Sequence, residues 1–206
     1  MERARTLRRI CVFCGSNPGK NPHFADQARA LGRVLVERNL GLVYGGGDVG
    51  LMGILADTVM SGGGEVIGVI PRSLEEREVA HTGITELHVV ETMHERKHLI
   101  YSLGDAVVAM PGGIGTFEEL FEALTWNQLE IHFKPSGLFN VAGYYDPLVA
   151  MLDRAVDEGF LRATQRQMLT VSDDPAALID QLAAIQPSHA PRWIRPGADE
   201  PERVKP

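Results

Sequence analysis

What constrains this chain most is an alternation. Short apolar runs rich in valine and isoleucine are separated by stretches of helix length and amphipathic period. A strand buried on both faces is apolar at consecutive positions, and parallel neighbours need a crossover between them, so the alternation specifies a parallel sheet covered on both sides. The runs predict strands at Ile10–Cys14, Gly41–Tyr44, Glu65–Ile70, Glu86–Val90, Ala106–Met110, Gly137–Val141 and Leu169–Val171. Between them the spacing predicts helices over Pro22–Arg38, Gly50–Ser61, Met93–Leu103, Gly115–Leu129, Tyr145–Glu158 and Pro175–Ile185. Asn21-Pro22 and Asp174-Pro175 each pair an N-cap with proline at the first helical position. The expected fold class is α/β: a doubly wound, Rossmann-like parallel sheet with helices on both faces, in a single domain. With 206 residues, 44% of them hydrophobic, one such core can be filled. The expected domain spans residues 10–186, after a basic extension at 1–9. A tail at 187–206 holds five prolines and no apolar period, and reads as disordered.

Charge narrows the class of partner. A net charge of −7 leaves no electrostatic footprint for nucleic acid or an anionic membrane, so a phosphate ligand needs a local site and the expected partner is a small molecule. The apolar run after the basic start ends at Gly15, too short for a signal peptide or a membrane span. Cys11 and Cys14 form a C-x-x-C, but on a strand residues three apart point to opposite faces, whereas reactive pairs of this spacing sit at a helix N-terminus. The pair reads as two reduced thiols in a cytoplasmic protein.

Three glycine-bearing turns follow predicted strands: Gly15-Ser16, Gly45-Gly46-Gly47 with Gly50, and Gly112-Gly113 with Gly115. Ligands of open parallel sheets bind at the carboxyl ends of strands, so the three can converge on one crevice. The sharpest is Pro111 to Glu119. Gly112 and Gly113 let an anion approach the backbone, Gly115 and Thr116 open a helix whose positive end faces it, and Glu119 lies in the first turns of that helix. A plain β–α turn needing glycine for its backbone angles is the alternative for this segment alone. Gly45, Gly47 and Gly50 also match the G-x-G-x-x-G of dinucleotide sites, but on the second strand, and Glu65, the acid at the right distance, stands at the wrong end of the third. The loop over residues 71–85, with Pro71 and the charged run Glu75-Glu76-Arg77-Glu78, is long enough to line a ligand or simply to be solvated.

His94-Glu95-Arg96-Lys97-His98 fits the zinc pattern H-E-x-x-H on a helix. Two cations between the imidazoles oppose a dication, and no third ligand falls at a known spacing, so no metal is expected. Arg96 and Lys97 point instead to an anion near a helix start, or to an ordinary solvated basic pair.

Taken together, Met93-His94-Glu95-Arg96-Lys97 followed by Pro111-Gly112-Gly113-Ile114-Gly115-Thr116-Phe117-Glu118-Glu119 resembles the paired signature of the LONELY GUY (LOG) family, cytokinin riboside 5′-monophosphate phosphoribohydrolases often mislabelled as lysine decarboxylases. Phe13-Cys14-Gly15-Ser16, Tyr44-Gly45-Gly46-Gly47, Gly50-Leu51-Met52-Gly53, Thr125-Trp126-Asn127-Gln128-Leu129 and Gly143-Tyr144-Tyr145-Asp146 extend the likeness from Ile10 to about Phe160. The resemblance implies hydrolysis of N6-modified adenosine monophosphates, and usually of AMP, to free base and ribose 5-phosphate, with no metal or organic cofactor. It implies Arg96 and Glu119 as the catalytic pair. Glu78, Lys97, Gly112, Gly113, Ile114, Gly115, Thr116, Glu118 and Thr125 would contact the substrate, a homodimer is expected, and Gly15, Ser16, Gly45, Gly46 and Gly47 join the binding set as the other two turns. The chemistry is sound on its own terms, because breaking the bond builds positive charge on the ribose that a carboxylate such as Glu119 can stabilise. Arg96 could anchor the phosphate or orient Glu119. A nucleotide or cofactor carrier that binds at the same turns without cleavage is the competing class. Glu130 stands where the family commonly has glycine.

Overall fold

A computed structural model describes residues 6–75 and 79–185. Seven parallel strands form one sheet: β1 (Arg9–Phe13), β2 (Gly41–Tyr44), β3 (Val66–Pro71), β4 (Glu86–Val90), β5 (Ala106–Ala109), β6 (Ser136–Phe139) and β7 (Leu169–Ser172), in the order β4-β3-β2-β1-β5-β6-β7. The helices are α1 (Pro22–Glu37), α2 (Gly50–Ser61), α3 (Met93–Leu103), α4 (Ile114–Gln128), α5 (Asp146–Asp157), α6 (Ala163–Arg166) and α7 (Pro175–Ala184). Every expected strand and long helix is present, with ends displaced by at most two residues. The tail at 187–206 and part of the basic extension lie outside the described residues.

The core is double because the strands are buried on both faces. Along β1 and just beyond it, Ile10, Val12 and Cys14 pack with residues of α1, α2 and α7 on one side, while Cys11 and Phe13 join Ile100 and Tyr101 of α3 on the other. Leu120 of α4 and half-buried residues of α5 complete the second side. Helices α1 and α2 approach closely at Gly32, where a Cβ would sit 2.9 Å from Thr58. The caps form as the sequence implies: the Asn21 side chain accepts from His23 N at 3.0 Å, and that of Asp174 from Ala177 N at 2.6 Å.

What positions a site is the reversal of strand order between β1 and β5. The chain leaves β1 for one face of the sheet and β5 for the other, which opens a crevice at their carboxyl ends. Glu65, the acid the dinucleotide reading needed, is at the opposite end, where its Oε2 accepts from Arg9 Nε at 2.7 Å. That ion pair holds the Glu65 carboxyl below its usual range. No described helix is long and apolar enough to cross a membrane.

Candidate active site

The crevice holds a cavity of 310 Å³, at the lower end of the range for small-molecule sites. All three glycine turns reach it: Gly15 and Ser16 after β1, Gly45 after β2, and Gly113 to Thr116 at the start of α4. The first and third are tied together, since Gly15 N donates to Pro111 O at 3.0 Å. A second hollow of 230 Å³ shares Gly15, Ser16 and Gly113 with the first, takes in Gly112, and is walled by Phe24 and Tyr144.

Helix α4 begins at Gly113 with no side-chain cap and no acid in its first turn. The first N–H groups of a helix lack intrahelical acceptors by geometry, so this end offers donors and a positive dipole to an anion. Gly113 and Gly115 have ordinary backbone angles, and a Cβ on either would meet nothing within 4 Å. Packing among the described residues therefore does not require glycine at either position, and the backbone there is left open at the cavity. Gly112 differs: a Cβ there would lie 2.1 Å from Thr116 Oγ1, so its absence lets the buried Thr116 hydroxyl fold back over the turn.

The acid and base of the expected pair both line the cavity. Arg96 is 4% exposed and fixed through Nε to Val69 O at 3.1 Å and through Nη2 to Gly45 O at 2.8 Å. Glycine at 45 is obligatory for this, because a Cβ would sit 2.2 Å from Nη2. Glu119 is half-buried on α4. Its charge reaches the Cys14 thiol, whose pKa is raised first by burial and then by that carboxylate.

Three tyrosines hold the turn from behind, and spacing along the chain gives no hint of them. Tyr145 OH donates to Met110 O at 2.5 Å, Tyr144 OH to Gly112 O at 2.5 Å, and Tyr101 OH to Glu119 O at 2.6 Å. Met52, Met93 and Leu74 add apolar wall, Leu74 coming from the loop after β3.

Other expected site residues sit elsewhere. Gly46 has a left-handed φ of 78° and packs against Ile70 and Leu87, while Gly47 bridges to Ala80, so these two secure the loop after β3 and do not face the cavity. Gly50 is bare because the Ser16–Asn17 backbone crosses it at under 2.5 Å from a Cβ position. The α2 N-terminus is spent on that same loop, with Leu51 N donating to Gly15 O at 3.0 Å. Lys97 does not line the cavity and bonds Glu118 and Glu122 of α4 instead, and Thr125 lines a separate small groove with Phe121, Leu124 and Leu152. Glu78 lies outside the described residues. The H-E-x-x-H pattern has a structural cause: Thr92 caps α3 by accepting from Glu95 N at 3.1 Å, and Glu95 Oε2 accepts in return from Thr92 N at 3.3 Å. His94 and His98 are exposed. Among the described residues, the group of His and acidic side chains close enough to share an ion is Asp48, Asp57 and His81, which does not include this pattern.

Comparison with known proteins gives the family. A family model described as "Possible lysine decarboxylase" matches residues 52–182. The chain is 49% identical over 183 residues to the cytokinin riboside 5′-monophosphate phosphoribohydrolase LOG2 of Arabidopsis thaliana, covering 89% of this chain and 86% of that one. It is likewise 49% identical to the probable phosphoribohydrolase of the same kind, LOGL2, of Oryza sativa subsp. japonica, covering 89% and 75%. Among solved structures, the molybdenum cofactor carrier protein of Chlamydomonas reinhardtii superposes with a TM-score of 0.65 at 22% identity, covering 87% of this chain and all of that one. The molybdenum cofactor binding protein of Rippkaea orientalis gives 0.64 at 22%, covering 85% and 95%; at such identity the likeness is one of fold. With close to half its residues identical to those relatives over nine-tenths of its length, the chain belongs to the LONELY GUY (LOG) family.

Proposed function

We propose that this protein hydrolyses the N-glycosidic bond of adenosine-type nucleoside 5′-monophosphates, AMP and its N6-modified relatives, releasing free base and ribose 5-phosphate. The observation that carries the reading is the meeting, in one cavity, of an uncapped helix start bared at Gly113 and Gly115 with Arg96 and Glu119. The phosphate would lie on the α4 N-terminus, held by backbone N–H groups and the Thr116 hydroxyl. That places the ribose toward Glu119. As the C1′–N bond breaks, its electron pair leaves with the base and C1′ becomes cationic. The Glu119 carboxylate stabilises that charge and orients the water whose oxygen bonds C1′, and the water's proton ends on the base. Arg96, locked by two carbonyls, sets a fixed positive charge in the wall. Ser16 and the turn around Gly112 complete the binding set, and the relatives' names carry the substrate class. We further assign a homodimer, which sedimentation equilibrium tests directly.

Decarboxylation of lysine would need a Schiff-base lysine with a depressed pKa. The buried lysine beside the site, Lys97, has a raised one: burial lowers it, but bonds to Glu118 and Glu122 more than offset that. The deciding assay incubates purified protein with AMP and isopentenyladenosine monophosphate and follows free base by chromatography. Release from either is expected. A ligand-dependent rise in melting temperature with no base released from either would make the protein a carrier instead.

A further inference from the structure

A charge cluster centred on a buried lysine joins α3 to the α4 wall of the cavity. Lys97, 8% exposed on α3, sends its ammonium to two carboxylates one turn apart on α4, Glu118 Oε1 at 2.5 Å and Glu122 Oε1 at 2.9 Å. Glu118 is half exposed and lines the cavity; Glu122 is 19% exposed and does not. The second oxygen of Glu122, Oε2, is buried and meets no hydrogen-bond partner among the described residues.

A Lys97–Glu118 pair alone would be neutral and would join α3 to α4 equally well. The cluster instead keeps a second, partly unsatisfied carboxylate next to the site, an arrangement that costs stability. Its effect falls on Glu118. Shared with Glu122, the one ammonium leaves the two carboxylates with a negative charge in excess, and it grips Glu118 through one oxygen at 2.5 Å. An anionic acceptor held this way suits a donor that needs a fixed partner, and a ribose hydroxyl is that kind of donor.

We propose that Lys97 and Glu122 are positioning residues that act through Glu118, fixing it at the cavity wall as an anionic acceptor for a ribose hydroxyl of the substrate. The inference rests on reading the cavity as a nucleoside monophosphate site. It gives Glu122 a role and moves Lys97 from substrate contact to support.

Glu122→Gln keeps the shape and the Oε1 acceptor while removing the charge. The KM for AMP is expected to rise about tenfold with kcat held within about threefold, while the melting temperature holds or rises. A purely structural role would penalise every substrate alike. Here the penalty, taken relative to wild type on the same substrate, is expected to vanish for whichever of 2′-deoxy-AMP and 3′-deoxy-AMP lacks the hydroxyl that Glu118 receives. Glu122→Met, which fills the space without a polar group, is the second variant and should show the same split if the Gln variant packs poorly. No penalty on AMP, or an equal penalty on AMP and both deoxy substrates, overturns the proposal. Wild-type protein that releases no base from any substrate overturns the nucleotide reading instead, and that is seen before any variant is made.

Discussion

Gly45 directly follows β2, yet the position its side chain would take belongs to Arg96. Adding one methyl by Gly45→Ala puts a carbon 2.2 Å from Nη2, so the guanidinium has to leave the carbonyl it now bonds at 2.8 Å. A displacement on that scale is expected to cost about a hundredfold in kcat/KM while the circular dichroism spectrum is kept, and unaltered turnover would detach Arg96 from the chemistry. Glu119→Gln separates charge from shape in the same wall. Its expected result is a kcat lower by about three orders of magnitude with ribose 5-phosphate still bound, measured by turnover and calorimetry. A fully active variant removes Glu119 from the mechanism. In the sequence, Arg96 and Lys97 are an adjacent basic pair, and nothing in their order says which enters the cavity. A helix turns adjacent side chains about 100° apart, and what lies in each direction, a carbonyl of β3 and one just after β2 for one and carboxylates of α4 for the other, is settled by packing. Tyr144 and Tyr145 stand in a segment that extends the likeness, but that they and Tyr101 clamp the turn is illegible for the same reason, since only the fold joins them to it.

Among elements, α4 carries the site at one end and a strained turn at the other. Its start was legible because glycine, threonine and acid follow a strand directly. Its C-terminus shows what a glycine would supply at Glu130, where the resemblance puts one. Glu130 has φ 59°, the left-handed conformation that closes a helix, with Ile131 N donating back to Trp126 O at 2.9 Å. The departure therefore concerns helix closure, since Glu130 does not line the cavity. Glu130→Gly is expected to raise stability by up to about 1 kcal/mol, read as a higher urea midpoint at constant slope, with activity unchanged. A lower midpoint would mean that the glutamate side chain contributes more than its backbone strain costs. Helix α6, at four residues, is too short to show a period, and so it was not foreseen.

For the molecule as a whole, the alternation of runs was enough to predict a parallel sheet, but not its strand order, which depends on the face each crossover takes. One prediction about the whole was available from β1 alone, that Cys11 and Cys14 face opposite ways, and the two thiols do lie in separate cores. They therefore report on both layers at once. Burial pushes the Cys11 thiol up to about 12, and burial followed by the Glu119 charge raises Cys14 as well, so almost no thiolate exists in the folded state near neutrality. A thiol reagent too bulky for the 310 Å³ cavity, which Cys14 lines at 8% exposure, should reach neither until the protein opens. If the two layers share one cooperative unit, both thiols become reactive together, at the denaturant midpoint seen by circular dichroism. The same shifts fix the effect of alkali. Above the ordinary thiol pKa the unfolded chain gives up protons that the folded chain retains, so stability falls as pH rises from about 9 toward 12, and unfolding midpoints taken across that window should decline. A thiol that reacts well before the midpoint would instead show that one face of the sheet opens independently, and the face would be identified by which cysteine is labelled.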